Sequence, residues 1–130
     1  RLDGVRILMA EENALNREIA TYMLEESGAL VTAAEDGQQA VDCFAASAPS
    51  SFDIILMDIM MPVLDGLDAA RAIRVLDRTD VRTVPILAVS ANAFSDDIAA
   101  SREAGMNGHL SKPLDFDRVA AVIAQYIRRS

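Results

Sequence analysis

Three carboxylates stand directly after short apolar segments of this 130-residue chain. Glu11 and Glu12 follow the first segment, and Asp58 follows the third. Clustered carboxylates repel one another and therefore favour a hard cation with oxygen ligands, such as Mg²⁺ or Mn²⁺. A carboxylate that faces the open side of such a site can attack phosphorus in line and form an acyl phosphate. Asp58 is the candidate nucleophile, because it ends the central segment.

A hydroxyl and an ammonium occupy the corresponding places further along the chain. Ser90 follows the fourth apolar segment, and Lys112 follows the fifth. An ammonium beside a bound cation can neutralise the oxygens of a phosphoryl group during its transfer. Taken singly, the Glu11–Glu12 pair could equally cap a helix, and Ser90 could cap a turn. Taken together, these groups indicate a site for a divalent metal and phosphate.

Segments rich in aliphatic and β-branched residues alternate with segments of helical periodicity. The predicted strands are Val5–Ala10, Leu30–Ala34, Ile54–Met57, Pro85–Val89 and His109–Leu110. These runs lack polar alternation, so they suit a parallel sheet that is covered on both faces. The first predicted helix carries an apolar stripe made of Leu15, Ile19, Tyr22 and Met23. The last predicted helix, 116–127, is preceded by Asp115 as its N-cap, and the helix over 95–104 has the weakest stripe.

Five strand–helix repeats in strict alternation predict one doubly wound α/β domain over residues 1–130, with its core at about 5–127. Its five parallel strands have helices on both faces of the sheet. Ligands of such sheets bind outside the carboxyl ends of the strands, which is where the candidate side chains collect. The chain begins with Arg rather than Met, so we expect it to be a piece of a longer protein.

Composition excludes several classes of function. A formal charge of −8 disfavours binding to nucleic acid and direct contact with an anionic membrane. The longest apolar run has six residues, whereas a membrane span needs roughly 20. Cys43 is the only cysteine, which excludes an internal disulfide and favours a reducing, cytoplasmic compartment. The chain has only one histidine in addition to this cysteine, so a zinc site, which needs about four cysteine or histidine ligands, is also disfavoured.

Four motifs in the right order and spacing resemble the receiver domain of two-component response regulators. They are residues 7–13 (ILMAEEN), 53–66 (DIILMDIMMPVLDG), 85–93 (PILAVSANA) and 105–113 (GMNGHLSKP). The resemblance covers nearly the whole chain and is closest to the receivers of hybrid sensor histidine kinases. It implies a flavodoxin-like (βα)5 fold with strand order 2-1-3-4-5. It also implies a signalling module that is not an enzyme by itself and relays its signal by a conformational switch.

The resemblance also implies a role for each residue of the site. Asp58 is the implied phosphoacceptor, and a phosphohistidine of a histidine kinase domain or histidine phosphotransfer protein is the donor. Mg²⁺ would be held by Glu11, Glu12, Asp58 and the backbone carbonyl of Met60. Ser90 would donate a hydrogen bond to a phosphoryl oxygen, and Lys112 would form an ion pair with the phosphate. A cis peptide bond between Lys112 and Pro113 would help to position Lys112. His109 stands at the position of an aromatic switch residue. The implied oligomeric state is a monomer or a weak, phosphorylation-dependent dimer.

Two residues depart from the family pattern. Glu12 replaces an Asp, and its extra methylene moves the carboxylate by about 1 to 1.5 Å. Mg²⁺ tolerates little error in its shell, so we expect weaker, water-mediated or Glu11-centred metal binding. His109 replaces a Tyr or Phe. It could add pH dependence to the switch, or it could be a partly exposed strand histidine without that role.

Three other functions remain to be weighed. A haloacid dehalogenase-type phosphatase would need a second Asp two residues after the nucleophile, where this chain has Met60. A pseudo-receiver that only binds proteins is supported by Glu12 alone. Nucleotide binding is disfavoured because neither GxGxxG nor GxxxxGK[ST] occurs.

Overall fold

Strands and helices alternate along the chain in a computed structural model that describes residues 2–91 and 95–128. The elements are β1 (Arg6–Ala10), α1 (Ala14–Glu26), β2 (Leu30–Ala34), α2 (Gly37–Ala46), β3 (Ile54–Asp58), α3 (Gly66–Arg74), β4 (Ile86–Ser90), α4 (Ser95–Glu103), β5 (Gly108–Ser111) and α5 (Phe116–Arg128). Residues 92 and 93 of the third sequence motif lie outside the described residues. Within the described part, no helix combines the length and apolar character that a bilayer crossing requires.

The strands form one parallel sheet in the order β2-β1-β3-β4-β5, which confirms the predicted topology. β3 and β4 run one residue beyond their predicted ends because the strand pairing continues. Asp58 lies opposite Val89, and Ser90 lies opposite Ser111. Asp58 and Ser90 are therefore the last residues of their strands, held by the sheet itself rather than by the loops that follow.

Four of the helices, α1, α2, α3 and α5, begin at side-chain caps within the described residues. Asn13, Asp36 and Asp65 each accept a hydrogen bond from a backbone N–H three residues ahead, at 2.8–2.9 Å. The predicted cap Asp115 accepts one from the N–H of Asp117 at 3.1 Å, which confirms that prediction. Each such cap contributes on the order of 1 kcal/mol, so the caps fix where the loops at the carboxyl edge of the sheet end.

Two apolar layers sandwich the sheet. One cluster includes Phe44, Ile55 and Ile73 and packs around α2 and α3. The other includes Leu24 and Ile123 and packs around α1 and α5. Every residue of β3 and β4 is buried, as the continuous apolar runs predict.

One prediction about burial was wrong. β2 is mostly exposed, with Leu30 at 59% exposure, because it is the edge strand of the sheet. The apolar stripe of α1 does not face the core. Its members Leu15, Ile19 and Tyr22 are 64%, 47% and 61% exposed. α1 packs instead through the smaller face that carries Ala20 and Leu24.

A buried ion pair anchors the long connection between α3 and β4. The Arg78 guanidinium donates to both carboxylate oxygens of Asp80, at 2.7 and 3.0 Å. It also donates to the carbonyl oxygens of Phe44 and Ser47, at 2.5 and 3.0 Å, and lies over the Phe44 ring. Asp80 accepts the N–H of Ser50 at 2.9 Å. The pair therefore ties the connection between α3 and β4 to the end of α2 and to the loop that follows it.

Candidate functional site

Asp58, Glu11 and Lys112 meet at the carboxyl edge of the sheet. The Lys112 ammonium lies 2.5 Å from Asp58 Oδ2 and 3.3 Å from Glu11 Oε2. The second oxygen of Asp58 accepts the backbone N–H of Met60 at 3.1 Å. Asp58 is 3% exposed and Glu11 is 7% exposed, so both carboxylates are largely removed from water. The topology thus brings together groups that are far apart in the sequence, as predicted from the ends of the strands.

The charges of these groups are strongly linked. Burial raises the pKa of Glu11, and the neighbouring Asp58 raises it further, while Lys112 opposes both effects. Burial lowers the pKa of Lys112, but its contacts with Asp58 and Glu11 outweigh burial, and the net pKa lies above the ordinary value. Lys112 is therefore an ammonium at neutral pH. Because two buried carboxylates contact one ammonium, the site favours the binding of an additional cation.

Glu12 is not part of this cluster. Its side chain is exposed, and its carbonyl oxygen accepts the Arg17 guanidinium at 3.2 Å. Among the described residues, no three carboxylate, histidine or cysteine side chains are grouped closely enough to hold a metal ion. The expected cluster of three carboxylates is thus reduced to two, Glu11 and Asp58. The Met60 side chain is 75% exposed, and its N–H is directed at Asp58.

Ser90 and His109 contact each other on neighbouring strands. Ser90 Oγ lies 2.7 Å from His109 Nε2, within hydrogen-bond distance. The register places His109 opposite Ala88, two residues before Ser90, which brings the longer imidazole within reach of the hydroxyl. His109 Nδ1 is buried and has no hydrogen-bond partner in the described part of the chain. The sequence did not predict this contact, because it depends on side-chain direction across two strands.

The loop after Asp58 is held by backbone contacts. The N–H of Leu64 donates to the Pro62 carbonyl at 2.7 Å, and Val63 between them has a φ of 68°. That geometry is a γ-turn, which a β-branched residue adopts only with strain. At Gly66, a Cβ would lie 2.2 Å from the backbone oxygen of Asp58. Only glycine allows the start of α3 to pass this close to the end of β3.

The peptide bond between Lys112 and Pro113 is cis, which confirms that prediction. It lies directly after β5, in the segment that carries the ammonium of the site.

Comparisons with known proteins point to one family. A family model described as the response regulator receiver domain matches residues 7–124. The chain is 37% identical to Histidine kinase 1 of Arabidopsis thaliana, with 99% of this chain covering 13% of that protein. It is also 37% identical to the transcriptional regulatory protein CseB of Streptomyces coelicolor, with 98% of this chain covering 51% of that protein.

Solved structures give the same result. The receiver domain of a sensor histidine kinase from Pseudomonas aeruginosa PAO1 is 38% identical, with a TM-score of 0.86 and coverage of 96% of this chain and 98% of that one. That structure has a magnesium ion coordinated in its active site cleft.

Proposed function

Because the chain belongs to the family of response-regulator receiver domains, we propose that Asp58 accepts a phosphoryl group from a phosphohistidine. Receiver domains are signalling modules of two-component systems rather than enzymes, and they act with histidine kinases or phosphotransfer proteins. The observation that carries the proposal is the Lys112 ammonium, which lies between the two buried carboxylates Asp58 and Glu11. A structural ion pair would need only one of them.

The proposed reaction is a direct transfer. A carboxylate oxygen of Asp58 attacks phosphorus, the P–N bond breaks, and the imidazole of the donor leaves with the electron pair. Lys112 neutralises charge on the phosphoryl oxygens, and the Met60 N–H orients the carboxylate through Oδ1. Ser90, at the end of the neighbouring strand, is the proposed hydrogen-bond donor to the phosphoryl group once it has been transferred.

We propose Mg²⁺ as the cofactor, with Mn²⁺ as a substitute. The donor set fits, since Glu11 and Asp58 are buried carboxylates with a single ammonium for two negative charges. Glu12 and the carbonyl of Met60 would complete the protein ligands, and the cation would neutralise charge on the phosphoryl oxygens. The similar Pseudomonas receiver, with its magnesium ion, supports this assignment.

Glu12→Asp is expected to raise Mg²⁺ affinity several-fold. Glu12 is one methylene longer than the Asp that it replaces in the family pattern, so restoring the shorter side chain removes a misfit to the octahedral shell. Titration of Mg²⁺ against both proteins by calorimetry measures the change. Glu12→Gln, which keeps the length and removes the charge, is the control. Equal affinities for wild type and Glu12→Asp would contradict the prediction.

Intact mass measurement after incubation with phosphoramidate and Mg²⁺ tests the function itself. We expect one added phosphoryl group on the wild type and none on Asp58→Asn. A protein that gains no phosphoryl group would instead be a pseudo-receiver that only binds partners. Steady release of inorganic phosphate from an external monoester would support the phosphatase alternative.

We propose that the hydrogen bond between Ser90 and His109 is part of the switch. A phosphoryl group at Asp58 and the His109 ring compete for the same hydroxyl, so phosphorylation would release the ring and change the surface around α4 and β5. The weak apolar stripe of α4 agrees with an element that can move.

His109→Phe is expected to raise the phosphorylated fraction about fivefold at limiting phosphodonor. In the wild type, Ser90 must give up its hydrogen bond with His109 before it can bond the phosphoryl group. The substitution removes that cost, which is about 1 kcal/mol. Intact mass measurement gives the fraction. The same substitution in a Ser90→Ala background is the control, and there it should have no effect. An equal effect in both backgrounds would show that the two residues are not coupled.

The exposed stripe of α1 is the proposed docking surface for the phosphodonor. Leu15, Ile19 and Tyr22 form an apolar face on the helix that starts just after Glu11 and Glu12. An apolar helix face beside the acceptor suits a helical partner.

The parent protein is proposed to be a hybrid histidine kinase, since the curated relatives include several histidine kinases of which this chain covers a small part. We also propose that the domain is cytoplasmic and that it is a monomer or a weak, phosphorylation-dependent dimer.

A further inference from the structure

A cavity of about 540 Å³ opens between α1 and the segment that joins β5 to α5. Its walls are apolar and include Ile19, Ala20, Leu56, Val89, Leu114 and Phe116. One end contains Asp58, Glu11 and Lys112, so the cavity is continuous with the phosphoacceptor site. The proposed phosphoryl transfer places only the phosphoryl group at that end and leaves the apolar part unused.

The size and polarity of this cavity match a small-molecule site. Such sites have volumes of roughly 300 to 1,000 Å³ and combine apolar walls with a few convergent polar groups. Here the three charged groups contact one another through Lys112, so they occupy a single part of the lining. A matching ligand therefore has a phosphoryl group at one end and an uncharged, apolar body at the other.

We propose that the cavity binds the apolar acyl group of an aryl or branched-chain acyl phosphate that donates its phosphoryl group to Asp58. This inference rests on the proposed function of Asp58. The Asp58 carboxylate oxygen forms a bond to phosphorus while the bond from phosphorus to the acyl oxygen breaks. The carboxylic acid leaves as its carboxylate with the electron pair, so no oxidant, reductant or additional proton is needed.

The apolar walls give a preference among donors. A benzoyl group can bury its ring against Ile19, Leu114 and Phe116, whereas the methyl group of acetyl phosphate fills little of the space. Phosphoramidate carries no acyl group and gains nothing from the cavity. One additional methylene in an apolar pocket changes specificity by about tenfold or more, and benzoyl exceeds acetyl by several carbons, so the preference for the benzoyl donor should be at least about tenfold.

The first experiment compares the rates at which the wild-type protein gains a phosphoryl group from benzoyl phosphate, acetyl phosphate and phosphoramidate. Intact mass measurement gives each rate in the presence of Mg²⁺. Dividing each rate by the rate at which the same donor hydrolyses spontaneously at neutral pH, with cleavage of the bond from phosphorus to its leaving group, removes intrinsic chemical differences. We expect a normalised rate for benzoyl phosphate at least about tenfold above that for acetyl phosphate. Equal normalised rates would overturn the proposal.

The second experiment fills the cavity. Ile19→Trp places a larger ring at its rim, and Glu25→Trp is the matched control, an exposed position on the same helix but outside the cavity lining. We expect Ile19→Trp to reduce the benzoyl phosphate rate about tenfold and to leave the phosphoramidate rate within twofold. Glu25→Trp should change neither rate. If both tryptophan variants slow the benzoyl donor equally, the cavity is not the acyl site.

Two outcomes separate this proposal from the function on which it rests. If phosphoramidate adds no phosphoryl group, the phosphoacceptor function fails. If phosphoramidate reacts but benzoyl phosphate has no advantage, only the acyl site fails. The wild-type comparison of donors stands even if Ile19→Trp does not fold, and Ile19→Phe provides a smaller substitution at the same position.

Discussion

Lys112→Met is expected to slow phosphorylation of Asp58 about 100-fold, the usual cost of removing a group that stabilises charge in a transition state. Lys112 is the cation in contact with both carboxylates, at 2.5 and 3.3 Å, and its raised pKa keeps it charged at neutral pH. Methionine retains the length and apolar stem of the side chain. The rate of mass gain with phosphoramidate measures the effect.

Lys112→Arg separates charge from geometry. Arginine keeps the positive charge, but its planar head does not reproduce a compact ammonium between two oxygens, so we expect an intermediate rate. Circular dichroism should show that both variants are folded. A Lys112→Met rate within fivefold of wild type would mean that Lys112 is a structural ion-pair partner only.

Asp80→Asn is expected to lower the free energy of unfolding by about 3 kcal/mol at pH 7, since it leaves the buried Arg78 guanidinium without its counter-charge. Both side chains are close to fully buried, at 11% exposure for Arg78 and 8% for Asp80. Urea denaturation followed by circular dichroism measures the loss. Asp68→Asn is the matched control, because Asp68 pairs with Arg71 at 2.8 Å on the surface and should cost at most about 0.5 kcal/mol.

The Arg78–Asp80 pair also predicts acid sensitivity. Burial raises the pKa of Asp80, but the hydrogen bonds from Arg78 and Ser50 outweigh it, and the net pKa lies below the ordinary value. The folded protein therefore binds this proton less readily than the unfolded chain does. The stabilisation is fully present above about pH 4 and is lost as pH falls through the lower, folded pKa. Asp80→Asn should flatten that part of the stability curve, and an unchanged slope below pH 4 would contradict the assignment.

The sequence was sufficient to predict the fold and the grouping of Asp58, Glu11 and Lys112 because both follow from the order and the ends of the strands. Asp58 and Lys112 directly follow apolar runs, and parallel topology brings such positions to one edge. Burial of individual faces could not be predicted in the same way. Periodicity identifies the apolar stripe of α1 but does not say what covers it, and the run of β2 does not reveal that it is an edge strand. The Ser90–His109 contact and the absence of Glu12 from the carboxylate cluster depend on side-chain direction, which spacing does not determine.

The close approach of Gly66 to the backbone of Asp58 fixes the start of α3 against the end of β3. Not even a methyl group fits between the start of α3 and the backbone oxygen of Asp58, and Gly37 meets Leu64 just as tightly behind it. The start of α3 and the end of β3 are therefore held at a fixed separation, and any side chain at position 66 would have to displace the backbone that carries Asp58.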